Sequence, residues 1–387
     1  MMAEPNGSGR PAPVSRRPWP VRRRPAQELG TVEDVVVRDL DEPEFILPPE
    51  VITGPPEPII DPPVVEETRS GPRFDLAPVR LAALGLALVL VIAITMVKLF
   101  VGGPPSVDDL RAQSGVDSWS VLPIGVKADQ PGVAERQPDG SWTGFDIDIA
   151  YMIAEDLGFR RDEVKFYAIE SEDRARMQAT DATPEQQRVP VKLVIASYSI
   201  TADRAKMAGV AFSAPYLYTE QSVITRIGHK PVSALEDLKG KKVCTLSAST
   251  SETAPERANA IVVRKNRVGE CFTELDAGNV EAVTTDAAIL AGYKAKFPRK
   301  YAHWDLGLDA TEAWGVNVGE NKALQTLVNL TLYRSLTDPK DDRWELAYQR
   351  NLQSEVPANQ GTPIAVAQQP FVSRPNVRVL PWERSGS

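Results

Sequence analysis

The stretch that decides the fold reads Gly144-Phe145-Asp146-Ile147-Asp148-Ile149-Ala150-Tyr151-Met152-Ile153-Ala154. Asp146 is a residue type that caps helix N-termini, and Phe145 before it can pack as a staple residue. Apolar side chains then recur at helical spacing, at Ile149, Ile153 and Leu157. The pattern predicts that a strand end turns into an amphipathic helix, as it does in many α/β domains.

Composition and charge argue against several classes of protein. The chain has 387 residues, room for two or three domains, and a net charge of -8, which argues against a nucleic-acid partner. Two His and two Cys leave little material for a zinc site or a Ser-His or Cys-His catalytic pair. These counts argue against a zinc site and against His-dependent catalytic pairs; our predictions include no metal, no cofactor and no enzymatic activity. Cys244 and Cys271 would pair outside the cytoplasm and stay free thiols inside it.

The first part of the chain has the composition of a disordered segment. Residues 1–78 are rich in proline and poor in patterned large apolar residues, with a basic beginning and an acidic continuation from Glu28 to Glu67. The stretch Pro55-Pro56-Glu57-Pro58 either docks as polyproline II or serves as an extended spacer. We predict a disordered, Pro-rich cytoplasmic tail.

The next segment, residues 79–101, is predicted to be a single transmembrane helix. Leu81 to Val97 carries no charge, and the apolar run reaches about the 20 residues that span a bilayer. A buried core helix is the alternative, but the segment has no polar face. Arg73 and Arg80 precede the run and Lys98 follows it, which predicts a cytoplasmic N-terminus and an extracellular C-terminal domain.

A linker, residues 102–117, leads into a globular part at 118–381 in which strands and helices alternate. Such alternation predicts an α/β fold of parallel sheets flanked by helices. The predicted strands are 121–127, 164–168, 191–195, 223–225, 242–246 and 280–284, and later helices are predicted at 323–336 and 344–352.

Ligands of open α/β sheets bind at the carboxyl ends of strands, where the first of three suitable turns follows Ile195. Ser197 and Ser199 are small enough to leave backbone N–H groups accessible. Thr201 is expected to cap a helix that places Arg204 in its first turn. Backbone N–H groups, a helix N-terminus and a guanidinium together suit a carboxylate, although a solvated surface arginine is the alternative.

The other two turns also follow strands. Asp286 could accept hydrogen bonds from an ammonium group, or it could cap the helix Ala287 to Tyr293. The turn Ser247-Ala248-Ser249-Thr250-Ser251 again exposes N–H groups to an anion, unless it is an ordinary Ser-rich turn.

As a set, residues 144–154, 196–204 and 283–293 resemble the family 3 extracellular solute-binding proteins of bacteria. The resemblance covers roughly residues 118–355 and includes Phe212-Ser213-Ala214-Pro215-Tyr216, which leads into the family's crossover between lobes. It implies a two-lobe, type II periplasmic-binding-protein (Venus-flytrap) fold. The implied lobes are about 118–222 with 317–381 for lobe 1 and 223–316 for lobe 2.

The resemblance also implies roles for single residues at a site for an amino acid. Arg204 would hold the ligand α-carboxylate and Asp286 its α-amino group, with Ser249 and Thr250 closing on the carboxylate from lobe 2. Further expected contacts are Ser197, Ser199 and Thr285. Ser197 departs from the family, because many members have Gly there.

The ligand's side chain is expected to meet a second group of residues. Lys127-Ala128-Asp129-Gln130-Pro131-Gly132 is similar to a turn of actinobacterial glutamate-binding proteins within the family. Lys127 and Arg174 could neutralise a second ligand charge, which favours glutamate over glutamine and leaves aspartate as an alternative, or they could be ordinary surface cations. Asp129 and Gln130 of this turn are included as ligand contacts, and Cys244–Cys271 matches the lobe 2 disulfide of this subgroup.

The implied function is a membrane-anchored extracellular receptor that delivers an amino acid to an ABC permease by lobe closure. The tail motivates an alternative, an amino-acid sensor that signals to a membrane or cytoplasmic partner. A lyase or dehydratase on the same fold is the third reading; it would need a positioned acid or base, for which Glu170 and Glu172 are candidates that nothing in the sequence singles out.

Overall fold

The structure is a computed structural model that describes residues 77–100, 103–307 and 311–378. The predicted disordered tail lies outside the described residues up to residue 76, and so do residues 379–381 of the predicted globular part. The helices within the described ranges are α1 Ala77–Phe100, α2 Val107–Ser114, α3 Phe145–Asp156, α4 Thr253–Arg257, α5 Val268–Asp276, α6 Ala287–Lys296, α7 Lys322–Thr337 and α8 Arg343–Asn351.

The strands are short, except for one that runs through both halves of the sheet. Their bounds are β1 Leu122–Val126, β2 Asp129–Gln130, β3 Ala134–Arg136, β4 Trp142–Thr143, β5 Val164–Ala168, β6 Gln178–Thr180, β7 Arg188–Pro190, β8 Leu193–Val194, β9 Phe212–Arg226, β10 Lys242–Leu246, β11 Ile261–Lys265, β12 Ala282–Asp286, β13 Tyr301–Trp304 and β14 Thr311–Asn317. The predicted strands 164–168 and 242–246 have the bounds of β5 and β10, whereas 223–225 is only part of β9.

The apolar helix predicted before the globular part is α1. It has 24 residues, about 36 Å at 1.5 Å per residue, and its segment Ala77–Thr95 is long and apolar enough to cross a bilayer. Its side chains through Thr95 are exposed. An exposed apolar surface of this length is unstable in water and suits a hydrocarbon environment.

The sheet order is β11-β10-β12-β9-β14-β8-β1-β5-β6-β7, with β13 also paired to β9. In lobe 1, defined here by β1 and β5–β8, β1 lies parallel between β5 and β8. In lobe 2, defined by β10–β13, β10 lies parallel between β11 and β12. The predicted parallel arrangement therefore holds for the central strands of each lobe. It fails at the edge of lobe 1, where β6 is antiparallel to β5 and β7, and at β9 and β14, which run antiparallel because the chain crosses into lobe 2 and then returns.

Gly144 starts α3, and its φ of 128° explains why glycine stands there. A Cβ on Gly144 would lie 2.3 Å from the carbonyl oxygen of Val133. The expectation that Asp146 caps this helix is wrong, because Asp146 lies within the first turn. Its buried carboxylate instead accepts hydrogen bonds from the Ser197 N–H and the Tyr216 hydroxyl, both at 2.9 Å. The helix is thereby fixed to the first candidate ligand turn.

After α8 the chain crosses between the lobes once more. We call residues 353–378 the C-terminal strap. The Oδ1 atom of its Asn359 accepts a hydrogen bond from His303 Nδ1 of lobe 2 at 2.7 Å, and Val366 N–H donates to Tyr218 O on β9. Gln369 then donates to Leu332 O on α7. Residues 371–377 form no strand, and Arg378 makes an isolated bridge with Ser106.

The predicted disulfide is present in lobe 2. Cys244 on β10 and Cys271 on α5 are fully buried and bonded, with their Cα atoms 5.5 Å apart. The bond therefore joins a central strand of lobe 2 to the helix that covers it.

Removing this bond should destabilise lobe 2. The closed loop spans a sequence separation of 27, and a loop of that size adds roughly 3–4 kcal/mol on the chain-entropy model. Cys244→Ala/Cys271→Ala should lower the urea midpoint of unfolding followed by Trp fluorescence. Dithiothreitol should lower the wild-type midpoint similarly and leave the variant unchanged. An unchanged midpoint in the variant would contradict this account.

Candidate ligand-binding site

A cavity lies between the lobes, at the carboxyl ends of β8, β10 and β12. These strand ends meet because parallel strands of each lobe present the same edge to the cleft. The lining residues are Lys127, Gln130, Arg174, Ser197, Ser199, Arg204, Leu246, Ser249, Thr250, Thr285, Asp286 and Ile289. All the residues predicted to contact a ligand are therefore together here except Asp129.

Asp129 has a different position from the one expected. Its carboxylate accepts a hydrogen bond from the Gly269 N–H at 2.8 Å, and its carbonyl oxygen accepts one from the Tyr293 hydroxyl at 2.6 Å. Both partners belong to lobe 2, so Asp129 joins the lobes instead of lining the cavity. Leu246 and Ile289 line the cavity without having been predicted, because nothing in the sequence distinguishes them from core residues.

Arg204 forms part of the cationic wall. Its guanidinium donates to Ser199 O and to Ala248 O, both at 2.9 Å, and lies over the Tyr198 ring at 4.9 Å. Thr201 Oγ1 accepts from the Arg204 N–H, but the expected helix is only the 3₁₀ turn Arg204–Lys206, and its N-cap residue is Asp203 instead of Thr201. Burial lowers the Arg204 pKa, so the cation lacks full hydration and would gain from an anionic partner.

Arg174 is buried behind this wall and is held by carbonyl oxygens. Its guanidinium donates to Ser171 O at 3.1 Å, Ala196 O at 3.2 Å, Ser197 O at 3.1 Å and Ala248 O at 3.2 Å. Four of the five N–H groups of an arginine are thus occupied by the main chain. Burial, and then the charge of Arg204, lowers the Arg174 pKa to about 9. Arg174 therefore shapes the turn and adds positive potential to the cavity.

Lys127 is the third cation of the site, and Ser171 is its hydrogen-bond partner. Its ammonium group donates to Ser171 Oγ at 2.8 Å, and the residue is only 4% exposed. Burial lowers its pKa to about 7, with a further contribution from the Arg174 charge. A carboxylate entering the cavity beside Lys127 would restore the charged form.

Asp286 forms the opposite, anionic wall. It stands before α6, but its side chain makes no capping hydrogen bond, and Trp314 Nε1 donates to it at 2.6 Å. Burial, and then the nearby charge of Glu312, raises the Asp286 pKa well above its ordinary value. A cation in the cavity would offset both effects.

The two Ser-rich turns differ in what their hydroxyls do. Ser249 donates to Leu246 O of its own turn at 2.6 Å, and Ser197 donates to Gln130 Oε1 at 2.6 Å. Ser197 and Ala248 have φ of 44° and 54°, in the left-handed region that few non-glycine residues adopt. Such backbone strain is common where a turn is shaped for a ligand.

Thr250 and Ser199 both donate to the carboxylate of Glu312, with Thr250 at 2.7 Å. Glu312 was missed because it lies on β14, in no turn that the sequence marks as chemical. Glu312 lies next to the site because β14 pairs with β9.

The lobes are in contact around this cavity. Arg174 and Arg204 of lobe 1 both reach Ala248 O of lobe 2, and Arg267 Nε donates to Glu170 Oε1 at 2.7 Å across the cleft. Glu170, a candidate acid or base for the enzymatic reading, is therefore engaged in an interlobe ion pair. The structure has the closed arrangement of the two lobes.

Comparisons with known proteins agree with this arrangement. Residues 122–344 match the sequence model of the bacterial extracellular solute-binding proteins, family 3. Glutamate-binding protein GluB of Corynebacterium glutamicum is 29% identical over 252 residues, 62% of this chain and 81% of that protein. The ABC transporter glutamine-binding protein GlnH of Bacillus subtilis is 35% identical over 176 residues, 44% of this chain and 59% of that protein. A solved ancestral arginine-binding protein bound to arginine superposes with a TM-score of 0.51 and 28% identity, over 60% of this chain and 98% of that one.

The surroundings of Lys127 lead to a pH prediction for the unliganded protein. Because burial lowers its pKa to about 7, its side chain should lose a proton near neutral pH, far below an ordinary lysine. The ε-carbon resonances of ¹³C-lysine-labelled protein should include one that titrates near pH 7 and disappears in Lys127→Met. The finding that every lysine titrates only in strongly alkaline solution would contradict the buried position of Lys127.

Proposed function

The chain belongs to the bacterial extracellular solute-binding proteins, family 3, and on that premise we propose that it is a receptor that clamps glutamate between its lobes. The observation that carries the proposal is a single cavity lined by Arg204, Asp286 and the buried Lys127. Cation, anion and second cation match the α-carboxylate, the α-ammonium and the distal carboxylate of glutamate.

The head of the amino acid would be held by opposite charges on opposite walls. Arg204 offers a guanidinium, and the backbone N–H groups of the Ser249-Thr250 turn offer neutral donors to the α-carboxylate. Asp286 would accept from the ammonium group. Burial, and then the charge of Glu312, raises the Asp286 pKa. A ligand ammonium beside Asp286 would relieve the repulsion between the two carboxylates, which supports this placement of the ammonium group.

The distal group decides between glutamate and glutamine. Lys127 and Arg174 are both buried, and their mutual repulsion contributes to the lowered pKa of Lys127. A second carboxylate would offset this repulsion and recover the desolvation cost of Lys127, whereas a neutral amide would not. The balance of charge therefore favours an acidic ligand.

We further propose that α1 anchors the receptor in the cell membrane, with the tail in the cytoplasm and the lobes outside. The support is the apolar, exposed segment Ala77–Thr95 and the Arg and Lys residues on its two sides. In this position the receptor would deliver its ligand to an ABC permease. The buried disulfide in lobe 2 suits an oxidising, extracytoplasmic location.

Calorimetry on the full chain in detergent tests the ligand. We expect glutamate to bind with micromolar or tighter affinity and glutamine more weakly. Arg204→Ala and Asp286→Ala should each weaken glutamate binding by about 100-fold or more, since each leaves a ligand charge unpaired inside the cleft. Arg299→Ala and Glu345→Gln change exposed charges outside the cavity and serve as controls. Wild-type affinity in both site variants would refute the proposal.

Gly292 on α6 tests whether binding requires closure. A Cβ at Gly292 would lie 1.9 Å from Pro131 O, which belongs to the lobe 1 turn. Gly292→Ala should therefore hold the lobes apart and weaken glutamate binding at least about tenfold without touching the ligand. Small-angle scattering should show that glutamate compacts the wild type but not the variant.

The thermal stability of unliganded Gly292→Ala serves as the control for folding. It should not fall, because alanine favours a helix interior over glycine by about 1 kcal/mol. Unchanged affinity together with normal compaction would show that the close contact does not limit closure.

A further inference from the structure

Glu312 occupies a position that the assignment of the ligand groups does not explain. It lies on β14, the strand that returns from lobe 2 to lobe 1, and its Oε2 atom accepts two hydrogen bonds. One comes from the Ser199 hydroxyl of lobe 1 and the other from the Thr250 hydroxyl of lobe 2, the latter at 2.7 Å. The two hydroxyl oxygens are themselves 3.4 Å apart. One carboxylate thus organises a hydroxyl from each lobe at the cavity wall.

These contacts set the hydrogen-bond polarity of that wall. A hydroxyl has one proton to donate and two lone pairs with which it can accept. When Ser199 and Thr250 both donate to Glu312, their oxygens can act toward the cavity only as acceptors. A ligand carboxylate gains nothing from such oxygens, whereas an ammonium group, which has three donors, does.

The charge of Glu312 acts in the same direction. The hydrogen-bond donors to Asp286 and Glu312 are neutral groups, the Trp314 indole and the two hydroxyls, while Arg204 acts on both carboxylates only through its charge. The two carboxylates are close enough to repel each other and thereby add to the raised pKa of Asp286. A pair of carboxylates at one end of a cavity favours a cationic ligand group there.

We propose that Glu312 is a specificity-determining positioning residue that makes this end of the site selective for the ligand ammonium. It acts through Ser199 and Thr250, whose oxygens become acceptors, and through its charge beside Asp286. The ligand α-carboxylate is then left to Arg204 and the backbone N–H groups, not to the Thr250 hydroxyl. This inference rests on the proposed amino-acid receptor and adds the means by which dicarboxylates without an amino group are rejected.

Glu312→Gln tests the inference with two ligands. L-glutamate and glutarate carry the same two carboxylates, but glutarate lacks the ammonium group. Calorimetry on the full chain should show that Glu312→Gln weakens glutamate binding by about 10- to 100-fold, the usual effect of losing a charged partner. Glutarate binding should be unchanged or tighter, because the neutral amide no longer adds a negative charge beside Asp286 that repels an anion. Glu345→Gln, the same change at an exposed position on α8, should leave both affinities unchanged.

The outcomes separate this inference from the proposed function. If wild type and Glu312→Gln bind glutamate equally well, or if the variant weakens both ligands equally, the selectivity role is overturned and Glu312 is only a structural link between lobes. If the wild-type chain binds no glutamate, the proposed function and this inference both fall. If Glu312→Gln does not fold, Thr250→Val provides the same contrast. It removes one acceptor and should weaken glutamate more than glutarate.

Discussion

The buried guanidinium of Arg174 is the constraint on which the site depends. A buried arginine must have its donors satisfied, and here main-chain carbonyl oxygens satisfy four of them. The carbonyl groups of Ala196 and Ser197 are thereby fixed in direction, and Ala248 O of the opposite lobe is drawn to the same point. Arg174 thus defines the shape of the first ligand turn and the place where lobe 2 meets it.

This arrangement places like charges close together, and their repulsion contributes to the shifted pKa values of the site residues. Burial lowers the pKa of Arg174 and of Lys127 and raises that of Asp286, and the neighbouring charges of Arg204, Arg174 and Glu312, respectively, add to these three shifts. Each repulsion would be relieved by a ligand group of opposite sign. The like charges are therefore grouped in a pattern that supports the proposed acidic amino-acid ligand, and such preorganisation is one way in which a site obtains selectivity.

The connections between the lobes explain how this strain can be coupled to movement. β9 and β14 pair with each other across the hinge, and the C-terminal strap contacts lobe 2 at His303 before it returns along β9. Contacts such as Asp129 with Gly269 can form only when the lobes meet. A ligand that contacts both walls binds better when the lobes meet, and it therefore favours closure.

The sequence by itself determined the alternation of strands and helices, the apolar helix α1 and the three turns at strand ends. These features are local or periodic, and parallel topology brings the strand ends to one edge whatever the details of packing. Tertiary structure alone decided that Asp146 holds Ser197, that Asp129 joins the lobes and that Glu312 faces Ser199 and Thr250. Those contacts join residues far apart in the chain, and they depend on the register of β14 against β9 and on how far the lobes close, which no local pattern encodes.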